Sequence, residues 1–183
     1  MTADTQSSRV LMEAFDVANK TRRLALQILE RHPHGSLHFV GIHTRGVLVA
    51  DRVRALLKDD LGDIPFGTLD ISLYRDDLDD LGRMPALKNT DLPFAVDDAT
   101  IILFDDVLFT GRTIKAAIDA LTDYGRPSSI ELAVLIDRGN RELPIAPNYV
   151  GLTIDTNKND YISVRLKERD ECEDGIYLST PRA

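Results

Sequence analysis

Asp105 and Asp106 close an apolar run, Ile101-Ile102-Leu103-Phe104, and are followed by Val107-Leu108-Phe109-Thr110-Gly111-Arg112-Thr113. The apolar run is long enough for a buried strand. From Ile114 the period becomes helical, with Ile114, Ala117, Ile118 and Leu121 on one face, and Gly125 is placed to end the helix. A small-residue loop feeding a helix N-terminus offers unpaired backbone N–H groups and the positive end of the helix dipole, which suits a phosphate. Gly111 allows close backbone approach, and Thr110 and Thr113 add hydroxyl donors. Asp105 and Asp106 suit what lies beside a phosphate: sugar hydroxyls, or a Mg²⁺ held partly through water. A ligand that combines these features is a phosphorylated sugar; the plain alternative is an ordinary strand-to-helix turn with solvated Asp residues.

A second unit of the same kind lies upstream. Leu37 to Val40 is apolar and runs into Gly41-Ile42-His43-Thr44-Arg45-Gly46, after which Val47 opens a helix with Val49, Val53, Leu56 and Leu57 inward. Two anion-shaped loops at the ends of two strands suggest a ligand with two separated phosphate groups, since open α/β sheets bind ligands outside the carboxyl ends of their strands. Arg45 suits a bidentate phosphate contact. His43 reads as a structural or supporting residue rather than a general base.

These loops must be held by the remaining elements. A helix is predicted over about Glu13 to Arg31, with Ala18, Ala25, Ile28 and Leu29 on one face and Lys20, Arg22, Arg23 and Arg31 on the other. Residues 1–9 read as a loose terminus. Thr68 to Tyr74 reads as a strand, followed by a long charged segment to about Asp91 of the kind that forms active-site lids. Ile130 to Ile136 is a further strand, and Ile162 to Leu166 and Ile176 to Leu178 are short ones. The strand–helix alternation predicts one α/β domain over residues 1–183: a mostly parallel sheet with helices on both faces and a small β-rich hood from both chain ends.

Residues 101–113 resemble the phosphoribosyl-diphosphate (PRPP) signature of type I phosphoribosyltransferases, and not a Walker A loop, because the Gly-Lys-Ser/Thr end is missing. Leu73-Tyr74-Arg75-Asp76-Asp77-Leu78, with Asp137-Arg138-Gly139 and Arg141-Glu142-Leu143-Pro144-Ile145, resembles the pyrimidine-operon attenuator (PyrR) subgroup, whose members double as uracil phosphoribosyltransferases. The resemblance spans roughly residues 13 to 178. It implies transfer of phosphoribose from PRPP to uracil, giving UMP and diphosphate. In that reading Asp105 and Asp106 bind the ribose hydroxyls and Mg²⁺, and Val107, Leu108, Phe109, Thr110, Gly111, Arg112 and Thr113 hold the 5′-phosphate. Thr44, Arg45 and Gly46 hold the diphosphate, Arg75 and Asp76 close over it, and Asp137 and Arg138 belong to the base pocket. Relatives also imply a homodimer or larger homo-oligomer. The alternatives are a UMP-sensing RNA-binding attenuator with little catalysis, and a phosphoribosyltransferase for another base.

Composition narrows the partners. With 22 Lys and Arg against 30 Asp and Glu, the net charge of −8 disfavours non-specific binding to nucleic acid or anionic membrane. Asn140, Ala146, Leu152 and Leu26 also stand where the PyrR family carries basic residues or His on its RNA surface, so RNA is expected to bind weakly or not at all. Cys172 is the sole cysteine, which excludes an intrachain disulfide and fits a cytoplasmic protein. The opening MTADTQSS lacks a signal-peptide core, and no run approaches the ~20 apolar residues of a membrane span.

Overall fold

A computed structural model describes residues 7–72 and 90–180. The elements in order are β1 (Ser7–Glu13), α1 (Ala14–Arg31), β2 (Leu37–Ile42), α2 (Arg45–Leu61), β3 (Phe66–Leu69), β4 (Thr100–Leu108), α3 (Arg112–Thr122), β5 (Ser129–Asp137), β6 (Tyr149–Thr153), β7 (Tyr161–Arg165), α4 (Lys167–Asp170) and β8 (Gly175–Thr180). Five strands form a parallel sheet in the order β3-β2-β4-β5-β6, and three form an antiparallel sheet in the order β1-β8-β7.

The central strands alternate between two buried faces. Ile102, Phe104, Ala133 and Leu135 pack with Val17, Leu24 and Ile28 of α1 and Val49, Val53 and Leu57 of α2. Ile101, Leu103, Leu132 and Val134 pack on the other side against Ile114, Ala117, Ala120 and Leu121 of α3. Helices therefore cover both faces, as the strand–helix alternation predicts. The small sheet is the expected hood, built from both chain ends, and Met12, Ile162, Val164, Leu166 and Ile176 share the α1–α2 core.

Several boundaries differ from expectation. Ser7–Glu13 is a strand paired with β8 rather than the end of a loose terminus. On α1, Val17 and Leu24 face inward and Ala18 is exposed; on α2, Leu56 is 42% exposed. β3 begins at Phe66 and ends at Leu69, because its ladder ends with its partner β2 at Ile42. β4 continues through Asp105 and Asp106 to Leu108, since the backbone ladder with β5 runs past the point where the side chains turn polar. Tyr74, Arg75, Asp76 and the expected lid before Thr90 lie outside the described residues.

Candidate active site

The loops after β2, β4 and β5 sit at the carboxyl edge of the parallel sheet, where they meet the hood around a cleft of about 640 Å³. Its walls come from five places. Ile42 to Arg45 follow β2, Asp70 to Ser72 follow β3, and Asp105 to Val107 with Phe109 and Thr113 form the β4–α3 turn. Arg138 follows β5, and Asp160, Tyr161 and Ile162 come from the hood.

Two close approaches assemble the floor. A Cβ on Gly46 would lie 2.3 Å from the Phe104 carbonyl oxygen, so only glycine lets the first turn of α2 rest on the end of β4. Gly111 caps α3 in the left-handed region at φ 93°, which turns the chain from strand to helix within three residues. Neither α2 nor α3 has an acidic residue in its first turn, so the positive ends of both dipoles remain uncompensated. The His43–Thr44 peptide is cis. The turn 109–111 is braced from behind: Glu142 and Leu143 N–H groups donate to the Thr110 carbonyl at 3.0 and 3.1 Å, and Arg141 Nη1 donates to the Phe109 carbonyl at 2.8 Å.

Asp105 is buried at 7% exposure and Asp106 is half-buried beside it. The Asp106 backbone N–H donates to Asp105 Oδ1 at 2.9 Å. Burial, and then the neighbouring Asp106 charge, push Asp105 well above the usual carboxylate range. Burial also raises Asp106, against the opposing pull of Asp105 and of the Arg45 charge. Two crowded carboxylates of this kind gain most from an incoming positive charge. Among the described residues no group of three or more His, Cys, Asp or Glu is placed to hold a metal. A pair of carboxylates fits a cation that keeps several waters and takes further oxygens from its substrate, which is the habit of Mg²⁺.

Of the residues expected from the sequence, Thr44, Arg45, Asp105, Asp106, Val107, Phe109, Thr113 and Arg138 line the cleft. Gly46 lies beneath it, and Gly111 shapes the turn. Thr110 Oγ1 accepts the Arg112 N–H at 3.3 Å. Leu108 does not reach a ligand; it is 1% exposed and packs in the core beneath α3. Arg112 points to solvent and pairs with Glu142 at 2.9 Å. Asp137 is tied to Arg141 at 2.6 Å. Arg138 is 4% exposed; its Nε donates to Thr156 Oγ1 at 3.1 Å, its Nη2 to the Asn157 carbonyl at 2.9 Å, and it stacks on the Phe109 ring at 4.0 Å. Burial lowers the Arg138 pKa, and the nearby Asp160 charge partly offsets this.

The hood residues Asp160, Tyr161 and Ile162, and Asp70 to Ser72, escaped the sequence reading. No local pattern marks them, because their place at the cleft follows from the hood folding back over the sheet. Arg45 Nη2 donates to Asp170 Oδ1 of the hood at 2.7 Å. A second tie runs from Arg52 on α2 to Glu168 and Asp174, with shortest contacts of 2.6 Å to each.

Comparison with known proteins gives a consistent result. The family described as "Phosphoribosyl transferase domain" matches residues 13–169. The chain is 50% identical over 166 residues to "Bifunctional protein PyrR" of Syntrophobacter fumaroxidans, covering 89% of each chain. It is 51% identical over 172 residues to the protein of the same name in Elusimicrobium minutum, covering 93% of this chain and 96% of that one. In structure it is similar to a hypoxanthine phosphoribosyltransferase from Staphylococcus aureus, with a TM-score of 0.68, 20% identity and coverage of 100% and 98%. It is likewise similar to the hypoxanthine phosphoribosyltransferase of Trypanosoma cruzi, with a TM-score of 0.71, 18% identity and 98% coverage of each chain.

Proposed function

The chain belongs to the phosphoribosyl transferase domain family and to the PyrR group within it, and on that premise we propose that it is a Mg²⁺-dependent uracil phosphoribosyltransferase. Uracil and PRPP give UMP and diphosphate. The observation that carries the reading is the buried Asp105–Asp106 pair set directly before the α3 N-terminus, across the cleft floor from Arg45.

In this reaction the uracil N1–C1′ bond forms as the C1′–O bond to diphosphate breaks, and the N1 proton is released. Positive charge gathers on the ribose ring as diphosphate leaves, as in glycoside cleavage. The carboxylates of Asp105 and Asp106 accept hydrogen bonds from the ribose hydroxyls and favour the developing cation electrostatically. The turn 109–111 and the first N–H groups of α3 anchor the 5′-phosphate, and that binding energy positions C1′. Arg45 donates to the departing diphosphate. Asp105 and Asp106 are the residues that would hold Mg²⁺, which when bound would supply charge neutralisation for the leaving group.

Uracil is favoured over orotate by the state of Arg138. Orotate carries a carboxylate that demands a cation beside the base, whereas Arg138 is spent on Thr156, Asn157 and Phe109. A regulator bound to RNA is the second reading, favoured by the likeness to the bifunctional PyrR proteins. Two arginines of the turn after β5 are not offered to it. Arg138 and Arg141 are turned inward: Arg141 donates to three backbone carbonyls and pairs with Asp137. Incubation with uracil, PRPP and Mg²⁺ tests the proposal: UMP should form, and EDTA should stop its formation. No UMP under those conditions sinks it.

A further inference from the structure

Two arginines on one face of α2 reach the hood, and they are occupied differently. Arg45 and Arg52 stand two helical turns apart. Arg52 gives Nε and both terminal nitrogens to Glu168 and Asp174, at 2.6–2.9 Å. Among the described residues Arg45 makes one such bond, from Nη2 to Asp170 Oδ1 at 2.7 Å. It keeps 31% of its side chain exposed and lines the cleft. Arg52 is therefore a finished structural tie, whereas Arg45 has donors left for a ligand.

Asp170 is held from its own side. Its Oδ2 accepts the Leu166 N–H at 2.8 Å, and its own N–H donates to the Leu166 carbonyl at 2.9 Å. Leu166 is fully buried in the core shared with α1 and α2. Burial works against ionising Asp170, but the Leu166 N–H and the Arg45 charge prevail and hold it below the usual carboxylate range. The carboxylate is thus a fixed negative charge beside a long, rotatable side chain.

Arg45 has another carboxylate in reach. Asp106 lines the same cleft, and the Arg45 charge is among the influences that oppose the effect of burial on it. Opposite charges attract more strongly where water is scarce. An Arg45 free to turn would close on Asp106 and cover the acidic pair that receives the ribose hydroxyls.

We propose that Asp170 is a positioning residue that holds Arg45 away from Asp106 and toward the diphosphate, so that the acidic pair stays open to the ribose. The inference rests on the phosphoribosyl-transfer reading and adds the group that orders the site before substrate arrives. The rotamer freedom of a long arginine side chain is then lost on folding and not on binding.

A double-mutant cycle of Arg45→Ala and Asp170→Asn tests this, read by initial rates with PRPP varied and by calorimetric titration of PRPP with Mg²⁺. The Asn amide oxygen can keep the Leu166 N–H bond, which turns its N–H₂ toward Arg45, donor against donor. For Asp170→Asn, Tm should move by no more than about 3 °C. Its kcat/KM for PRPP should fall about tenfold, with the uracil KM within about twofold of the unmodified protein. In the Arg45→Ala background the same change should alter kcat/KM for PRPP by less than about twofold, because Asp170 acts through Arg45. The PRPP dissociation constant should follow the same pattern. Losses that add in the double variant overturn the role of Asp170 and leave the transferase reading standing. So does a folded Asp170→Asn whose PRPP dependence stays within about twofold of the unmodified protein. Should Asp170→Asn fail to fold, Asp170→Ser, whose hydroxyl can accept the Leu166 N–H, enters the same cycle. Failure of both to fold makes Asp170 structural and overturns the proposal. No diphosphate release by the unmodified protein with uracil, PRPP and Mg²⁺ overturns the transferase reading and this inference with it.

Discussion

Arg45, in the first turn of α2, donates through Nη2 to Asp170 Oδ1 at 2.7 Å, so the loop that faces the leaving group is tied to the hood. The other Asp170 oxygen accepts the Leu166 N–H at 2.8 Å, which fixes the carboxylate from behind. Arg45 therefore waits in a defined position, with its Nε unpaired. Charge-assisted hydrogen bonds contribute about 1.5–3 kcal/mol each. Arg45→Ala should lower kcat/KM for PRPP about tenfold to a hundredfold, while uracil saturation changes little. Initial-rate kinetics with each substrate varied in turn would show this; an unchanged PRPP dependence would remove Arg45 from the diphosphate site.

The acidic pair carries a cost that its function explains. Burial raises both Asp105 and Asp106 above the unfolded carboxylate value of about 3.9. The folded protein thus holds these protons more tightly than the unfolded chain. The pair favours folding at low pH, and that contribution is lost as pH rises through the raised folded values. At pH 7.5 Asp105→Asn should raise the stability of the ligand-free protein by on the order of 1 kcal/mol, or ~2–4 °C. The same change should cut kcat/KM about tenfold to a hundredfold. A variant that loses both stability and activity would point to a structural role for Asp105.

A second arginine ties the hood to α2. Arg52 is engaged by Glu168 and Asp174 at once, with shortest contacts of 2.6 Å. Its hydrogen bonds hold Glu168 below the usual carboxylate range, and at Asp174 they outweigh the opposing effect of burial. Arg52→Met should cost about 2 kcal/mol, a fall of ~4–8 °C in Tm, by leaving two carboxylates unpaired. Since depressed folded values contribute above the unfolded ones, the difference between Arg52→Met and the unmodified protein should shrink as pH falls below about 4. Thermal scans from pH 3 to 8 measure it.

The core of the site was readable because strand, acidic pair, small-residue loop and helix are contiguous. Asp105, Asp106, Phe109 and Thr113 needed only one change of period to be placed together. Element ends were less legible: β4 passes through two aspartates because ladder pairing with β5 continues to Leu108, which side-chain polarity does not report. Leu108 looked like part of a phosphate loop but turns into the core. The pairing of Ser7–Glu13 with Gly175–Thr180 joins segments far apart in the chain, and no local signal announces it. Asp160 is illegible for the same reason, since its burial comes from the hood. Sequence also does not report that Arg138 and Arg141 spend their donors within the fold, on backbone carbonyls, the Thr156 hydroxyl and the Asp137 carboxylate.

With Arg138 and Arg141 turned inward, few exposed cations remain for RNA near α1. Leu26 is 60% exposed where the family carries a His, and the cations left near it are Lys20, Arg22 and Arg23. About three phosphate contacts would give a log–log salt slope of only about 2–3. Titration of a pyrimidine-operon leader RNA with UMP present, at two salt concentrations, should show weak binding. Sub-micromolar, sequence-selective binding with a steeper slope would restore the regulator to equal rank with the enzyme.

The central claim is that this cleft transfers phosphoribose to uracil. Diphosphate release from PRPP and Mg²⁺ should be followed with uracil, cytosine, orotate, hypoxanthine and guanine offered separately. Uracil should give a kcat/KM at least about a hundredfold above every other base, as a site with fixed hydrogen-bonding groups permits. Release with hypoxanthine or orotate at or above the uracil rate, or with no base above background, would contradict the account.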